Sequence, residues 1–150
     1  MTIFAEKMGM NLAFNKILKE EIPHILPMVQ ELMGQQFSNE ILTQRFSEMF
    51  DQNYECFKIT HDEQTVGVFG LWFMTRHYAG RSCEPDHIFI KEEYRSKGVG
   101  KSLFEFIYKY ATEKGCETSE LNSYVQNYRS HKFYLNEGYQ IKGYHFLKKL

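Results

Sequence analysis

Hydrophobic and polar positions along this chain follow two periods in turn, and their order predicts a mixed α/β domain. Alternation over "NLAFNKIL" predicts a first strand. In "IPHILPMVQELMG", Ile25, Val29, Leu32 and Met33 recur on one helical face, and Gly34 is placed to stop the helix. "SNEILTQRFSEMF" opens on Ser38 as N-cap, and Leu42, Phe46, Met49 and Phe50 form a second apolar stripe. "YECFKITHDEQTVGVFGLWFMTRHY" predicts a hairpin broken at "HDEQ", and "CEPDHIFI" a short strand after it. Val99, Leu103, Phe104, Ile107 and Ala111 mark an amphipathic helix ending near Gly115. A strand at "TSELNSYV", a short helix at "NYRSHKFYLNEG" closed by Gly138, and strand material in "YQIKGYHFLKKL" complete the order β-α-α-β-β-β-α-β-α-β.

The stretch "RSKGVGKS", between the strand "HIFI" and the long helix, has the glycine spacing of an anion-binding loop. A nucleotide P-loop needs G-x-x-x-x-G-K-[ST], which puts Arg95 where the first glycine belongs. Such a site also needs a later aspartate for magnesium, and Asp86, which precedes the loop, is the last aspartate of the chain. The nucleotide reading fails on both counts. What remains is R-x-x-G-x-G entering a helix, where Gly98 and Gly100 admit a bulky anion and the first-turn N–H groups face it. Arg95, Lys97 and Lys101 add positive charge. Alone, the spacing equally fits an ordinary strand-to-helix turn with a solvated basic rim.

Composition narrows the class. The 150 residues suit one domain, 1–150, with a single full core, and 43% apolar with 25% charged residues is a globular balance. Aromatics make up 16%, which calls for a ring-rich core or a ring-lined cleft. A net charge of −1 gives no reason to expect nucleic acid or an anionic membrane as partner. No run reaches the ~20 apolar residues of a membrane span. The start lacks a signal peptide's apolar core; Met8 or Met10 could be the native start, with a loose leader before it. Cys56, Cys83 and Cys116 are odd in number and without C-x-x-C spacing, so reduced thiols in the cytoplasm are expected. Six histidines without H-x-H or H-E-x-x-H spacing predict no metal site.

"I-x-x-x-x-R-S-K-G-V-G-K-S-L" followed by "N-Y-R-S-H-K-F-Y-L-N-E-G-Y" resembles the GNAT superfamily of acetyl-CoA-dependent N-acetyltransferases, from about Val66 to Leu150. The likeness rests on the R/Q-x-x-G-x-G/A pyrophosphate loop and an N-x-x-A-x-x-F-Y-x-x-x-G-F/Y helix, with Ser130 replacing the usual Ala. It implies a single-domain fold with a mixed, mostly antiparallel sheet, whose central parallel pair at "HIFI" and "TSELNSYV" splays apart between flanking helices. The tail is similar to aminoalkylphosphonate and other small-amine N-acetyltransferases.

The resemblance also implies roles. Backbone groups of Ile88, Phe89 and Ile90 would pair with the pantetheine arm, and Arg95, Ser96, Lys97, Gly98, Val99, Gly100 and Lys101 would cradle the pyrophosphate of acetyl-CoA. Asn127 would contact the arm, with Ser130 and Phe133 packed beside it. Tyr134 would be the general acid for the departing thiolate, against the plainer reading of a core aromatic. Glu84 would be the base, with His87 as an alternative and Asp86 as an attractant for a cationic substrate. The expected reaction is direct attack of a small molecule's primary amine on acetyl-CoA in a ternary complex. A protein N-terminal or lysine acetyltransferase and a non-catalytic acetyl-CoA sensor are the alternatives. A phosphonate substrate would draw on Arg76, His77 and Arg81. The aromatic C-terminal strand material is a candidate contact in a homodimer.

Overall fold

The computed structural model describes the backbone of residues 2–7 and 9–150, and side chains from Gly9 onward. The elements are β1 (Thr2–Lys7), β2 (Met10–Lys16), α1 (Ile22–Met33), α2 (Asn39–Phe50), β3 (Tyr54–His61), β4 (Gln64–Arg76), β5 (Gly80–Ile90), α3 (Val99–Glu113), β6 (Thr118–Ser119) and α4 (Tyr128–Asn136). One six-stranded sheet takes them in chain order; β1 to β5 are antiparallel and β6 joins β5 in parallel.

Local chemistry sets the boundaries. Gly34 ends α1 in the left-handed region at φ 61°, and the Ser38 hydroxyl caps α2 by accepting the Ile41 N–H at 3.2 Å. Asp62 and Glu63, both at positive φ, make the two-residue turn between β3 and β4. Strand alternation then sorts the side chains. On one face Tyr54, Cys56, Val68 and Phe89 meet Ile25, Val29, Leu42 and Phe46 of α1 and α2. Leu32, placed in the α1 stripe by periodicity, is largely exposed. On the other face Phe14, Phe57, Phe69, Leu71 and Phe73 meet Leu103, Phe106 and Ile107 of α3. Most of the aromatic excess lies here, with Phe57 stacked on Phe69 at 5.0 Å and Phe14 on Phe106 at 4.7 Å.

Both chain ends differ from the sequence reading. Before Met8, where the sequence left open a loose leader, the chain holds strand β1, which pairs with β2 from Thr2↔Asn15 to Lys7↔Met10. "TSELNSYV" contributes only Thr118 and Ser119 to the sheet, and 139–150 form no strand at all. A β-rich composition makes a segment able to pair, but pairing needs a partner backbone at strand distance. Past Ser119 the chain leaves β5, so no neighbour receives the C-terminal run. Only Tyr139 is docked there, its hydroxyl 2.6 Å from that of Ser119, while Ile141, Phe146 and Leu147 are exposed.

Glu55 ties β3 to α3. Its carboxylate accepts from Lys114 at 2.6 Å, Lys16 at 2.8 Å and the Tyr110 hydroxyl at 2.6 Å. Burial works to raise its pKa, but these three donors outweigh it and hold the group below its ordinary value of 4.5. A depressed folded-state pKa means stabilisation that is complete above 4.5 and lost as pH falls through the folded value. Glu55→Gln is therefore expected to lower unfolding free energy by about 1–3 kcal/mol at pH ~7, with the gap to the parent closing in urea titrations as pH falls through the folded-state pKa.

Candidate active site

The site grows from the divergence of β5 and β6. Ser82 pairs with Thr118 and Cys83 with Ser119, and the Glu120 N–H reaches the Cys83 carbonyl at 2.9 Å. Beyond that bond β5 continues to Ile90 with no strand on that edge. Opposite Val68–Gly70 of β4, β5 carries one extra residue between Asp86 and Phe89, a bulge that shifts the register. On its far side Lys91 N–H bonds Val66 O at 2.9 Å, toward β4. Alternation from there turns Phe89 toward β4 and the peptide groups of Ile88 and Ile90 toward the opening. Of the three residues expected to meet a pantetheine arm, these two turn their backbone N–H groups toward the opening.

The chain then turns through Glu92–Tyr94 into the glycine loop. Arg95 folds back, donating from Nε to the Ile90 carbonyl at 2.7 Å with its guanidinium 5.6 Å from the Phe89 ring centre. It thus fixes the loop to β5, while Lys97 lies over the Tyr94 ring at 5.8 Å. Ser96 has φ 60°, and Gly98, the N-cap of α3, has φ 84°. Ser102 N–H is the first of the helix to find its acceptor, at Gly98 O, 3.1 Å. That leaves the N–H groups of Val99, Gly100 and Lys101 without an intrahelical acceptor, at the positive end of a fifteen-residue helix. The arrangement fits a diphosphate.

The second motif lands on the first. Asn127 caps α4, its Oδ1 accepting the Ser130 N–H at 3.4 Å. Arg129 donates to the Ser96 hydroxyl. Phe133 packs edge-on against Phe104 at 5.2 Å and covers Gly100, where a methyl group would meet its ring at 3.7 Å. Tyr134 follows, partly buried against Phe104 and Tyr139. Burial raises its pKa and the Ser130 hydroxyl offsets only part of this, so the phenol keeps its proton at neutral pH. Arg129 was not singled out in the sequence; its signal was a cation two residues after the motif asparagine.

On the α1–α2 face of β5, Glu84 accepts from the Asn122 amide at 2.8 Å and lies 3.7 Å from Arg76. Asp86 accepts from the Trp72 indole at 3.0 Å. Glu120, also missed in the sequence, accepts from Ser82 at 2.5 Å, Tyr78 at 2.9 Å and Arg76 at 3.1 Å. Burial would raise its pKa, but these donors hold it below the ordinary value. Arg76 is thus committed to carboxylates, and Arg81 donates to the Lys114 carbonyl at 3.0 Å. His87 lies inward, its ring against Phe46 and Tyr54. A depression of about 510 Å³ lined by Asp51, Gln52, Asn53, Trp72, Phe73 and Met74 borders this side and touches neither motif. Among the described residues no His, Cys, Asp and Glu cluster of three or more could hold a metal ion, and no helix is long and apolar enough to cross a membrane.

The acetyltransferase (GNAT) family model matches residues 25–139. The chain is 23% identical over 133 residues to the aminoalkylphosphonate N-acetyltransferase of Salmonella typhimurium, covering 87% of this chain and 86% of that one. Its fold is that of aminoglycoside N-acetyltransferase AAC(6')-Iy in complex with CoA, at TM-score 0.76 and 16% identity over 97% of this chain and 99% of that chain. The aminoglycoside acetyltransferase meta-AAC0020 from an uncultured soil metagenomic sample is equally similar, at TM-score 0.76 and 16% identity over 93% and 96%.

The two loop glycines separate by their backbones. Gly98→Ala forces an L-residue into the left-handed region and is expected to cost about 1–2 kcal/mol of stability. Gly100 has ordinary φ and room for a methyl, so Gly100→Ala is expected to keep its melting temperature while weakening acetyl-CoA binding about tenfold by calorimetry. Unchanged affinity would move the pyrophosphate off this turn.

Proposed function

Because the chain belongs to the acetyltransferase (GNAT) family, whose members use acetyl-CoA, we propose that it acetylates a primary amine of a small cationic molecule, by direct attack in a ternary complex. One observation carries this reading: α4, with Tyr134, seats on the N-terminal turn of α3 through Phe133 over Gly100 and Arg129 on Ser96. A protonated phenol is thereby joined to the anion-binding turn. Acetyl-CoA supplies the acetyl group as an activated thioester. Val99, Gly100 and Lys101 N–H groups, with the Lys97 and Lys101 ammonium groups, hold its diphosphate, and Ile88 and Ile90 align its arm. Glu84 takes the proton that frees the amine's lone pair, directly or through water. As that pair closes on the carbonyl carbon and the C–S bond breaks, Tyr134 gives its proton to the sulfur, which leaves with the bonding electrons, and the new amide nitrogen's surplus proton returns through water to the tyrosinate.

The acceptor's charge is read from the α1–α2 face of β5. Glu84, Asp86 and Glu120 converge there beside Trp72 and Tyr78, and Arg76 is already paired with two of the carboxylates. This favours an amine bearing further positive charge over an aminoalkylphosphonate, whose dianion would need uncommitted cations. A cytoplasmic location goes with this reading. It is supported by three free thiols, of which Cys56 and Cys83 are pushed up to about 12 by burial.

Tyr134→Phe is expected to lower kcat by ~10²–10⁴-fold with acetyl-CoA affinity unchanged, because only a transition-state interaction is lost. A smaller loss would show that the thiolate leaves without this acid. Glu84→Gln is expected to lower kcat by ~10²-fold or more; activity close to the parent's would remove Glu84 from the role. In a thiol-release assay over polyamines, aminoglycosides, monoamines and an aminoalkylphosphonate, a polycation should exceed the phosphonate in kcat/KM by about tenfold or more. The reverse order would overturn the acceptor assignment.

A further inference from the structure

The bulge in β5 decides which peptide groups face the opening. Before it, Cys83 looks outward, its carbonyl bonded to Glu120 N–H, and two residues on Pro85 offers no N–H at all. Uninterrupted alternation would carry the outward positions on to residues 87 and 89. The extra residue moves them to Ile88 and Ile90 instead.

Holding that bulge has a cost. His87 sits at φ 36°, a backbone region unfavourable for a side chain of its size. Its N–H has left the strand ladder and is satisfied by the Asp86 carboxylate at 2.7 Å, which the Trp72 indole holds in turn. Its ring is buried under Phe46, and burial, against the pull of Asp86, lowers its pKa and keeps it neutral. Nε2 lies 2.5 Å from the Tyr54 hydroxyl, while Nδ1 has no partner among the described residues. Among the described residues the ring's one polar tether is therefore this hydrogen bond, reaching across β4 from β3. Gly70 leaves the space for it: a methyl there would lie 2.7 Å from the Tyr54 hydroxyl and closer still to His87 Nε2.

We infer that Tyr54 and His87 form a latch whose hydrogen bond fixes the β5 bulge, so that the N–H groups of Ile88 and Ile90 face the pantetheine arm of acetyl-CoA. Both are then positioning residues for the coenzyme, and neither touches reacting atoms. The inference rests on the reading that the arm lies along this edge of β5.

Tyr54→Phe keeps the ring and deletes the hydroxyl. It is expected to raise the KM for acetyl-CoA about tenfold while kcat changes by less than about twofold. His87→Ala keeps a side-chain-bearing residue at the strained φ, removes the other half of the latch, and should raise KM equally. The double variant should be no worse than either single one, because both remove the same interaction. Gly70→Ala, which crowds the pair apart from β4, is the independent check should Tyr54→Phe fail to fold. Additive effects, or an unchanged KM in a folded variant, would overturn the latch. Amide exchange in the parent separates this from failure of the underlying reading. Protection of Ile88 and Ile90 on adding acetyl-CoA, with unchanged KM in Tyr54→Phe, overturns the latch alone. No protection in the parent overturns the pairing and the latch together.

Discussion

A strand edge left unpaired inside a sheet is the constraint on which this molecule is built. Backbone N–H and C=O groups at such an edge need partners, and β5 finds them on one side along its length, in β4, but on the other for only two residues, in β6. Chain connectivity produces the separation. The crossover through α3 returns the chain parallel to β5, and the chain then diverges toward α4, whose seat is on α3 rather than on the sheet. A ligand with amide groups along an extended arm answers that edge as a strand would. The glycine turn sits where the same strand ends, so the function proposed here has arm and diphosphate read by consecutive segments of one chain.

The two motifs differ in how they enforce this. In the loop the information is backbone conformation: Gly98 takes φ 84°, and Arg95 is spent on the Ile90 carbonyl. The residue that looks in sequence like a phosphate ligand is thus partly a tether. In α4 the information is packing, since Phe133 wedges against Phe104 and Gly100 and delivers Tyr134 to a fixed depth. Serine for alanine at residue 130 fits this arrangement, because its N–H is taken by the Asn127 cap and its hydroxyl sits beside Tyr134.

Much of the fold was legible because it depends on local periods and punctuation. The α1 stop at Gly34, the α2 cap at Ser38, the β3–β4 hairpin and the apolar face of α3 are set within a few residues of themselves. The chain ends were misread because strand content there depends on a partner edge, which no short window contains: β1 has one in β2, and 139–150 has none. The site was legible where a motif carries it, at Gly98–Lys101 and Asn127–Tyr134. It was not where side chains meet from distant strands. Glu120 reaches Arg76 and Ser82 across separations of 44 and 38 residues, and Tyr54 reaches His87 across 33.

His87 shows why residue type alone misleads at this position. Its ordinary pKa suits a base, and its strand is the right one. Yet the bulge turns its ring inward beneath α2, where burial favours the neutral form and the nearest polar atom belongs to a tyrosine that burial also keeps protonated. Two neutral groups sharing one short contact make a poor route for a substrate proton and a good mechanical joint. Glu84, three residues earlier and before the bulge, stays on the acceptor side with Asn122 and Arg76 around it. The same irregularity that buries the imidazole turns the next peptide groups toward the opening, so one bulge separates the segment proposed for acid–base work from the segment proposed for binding.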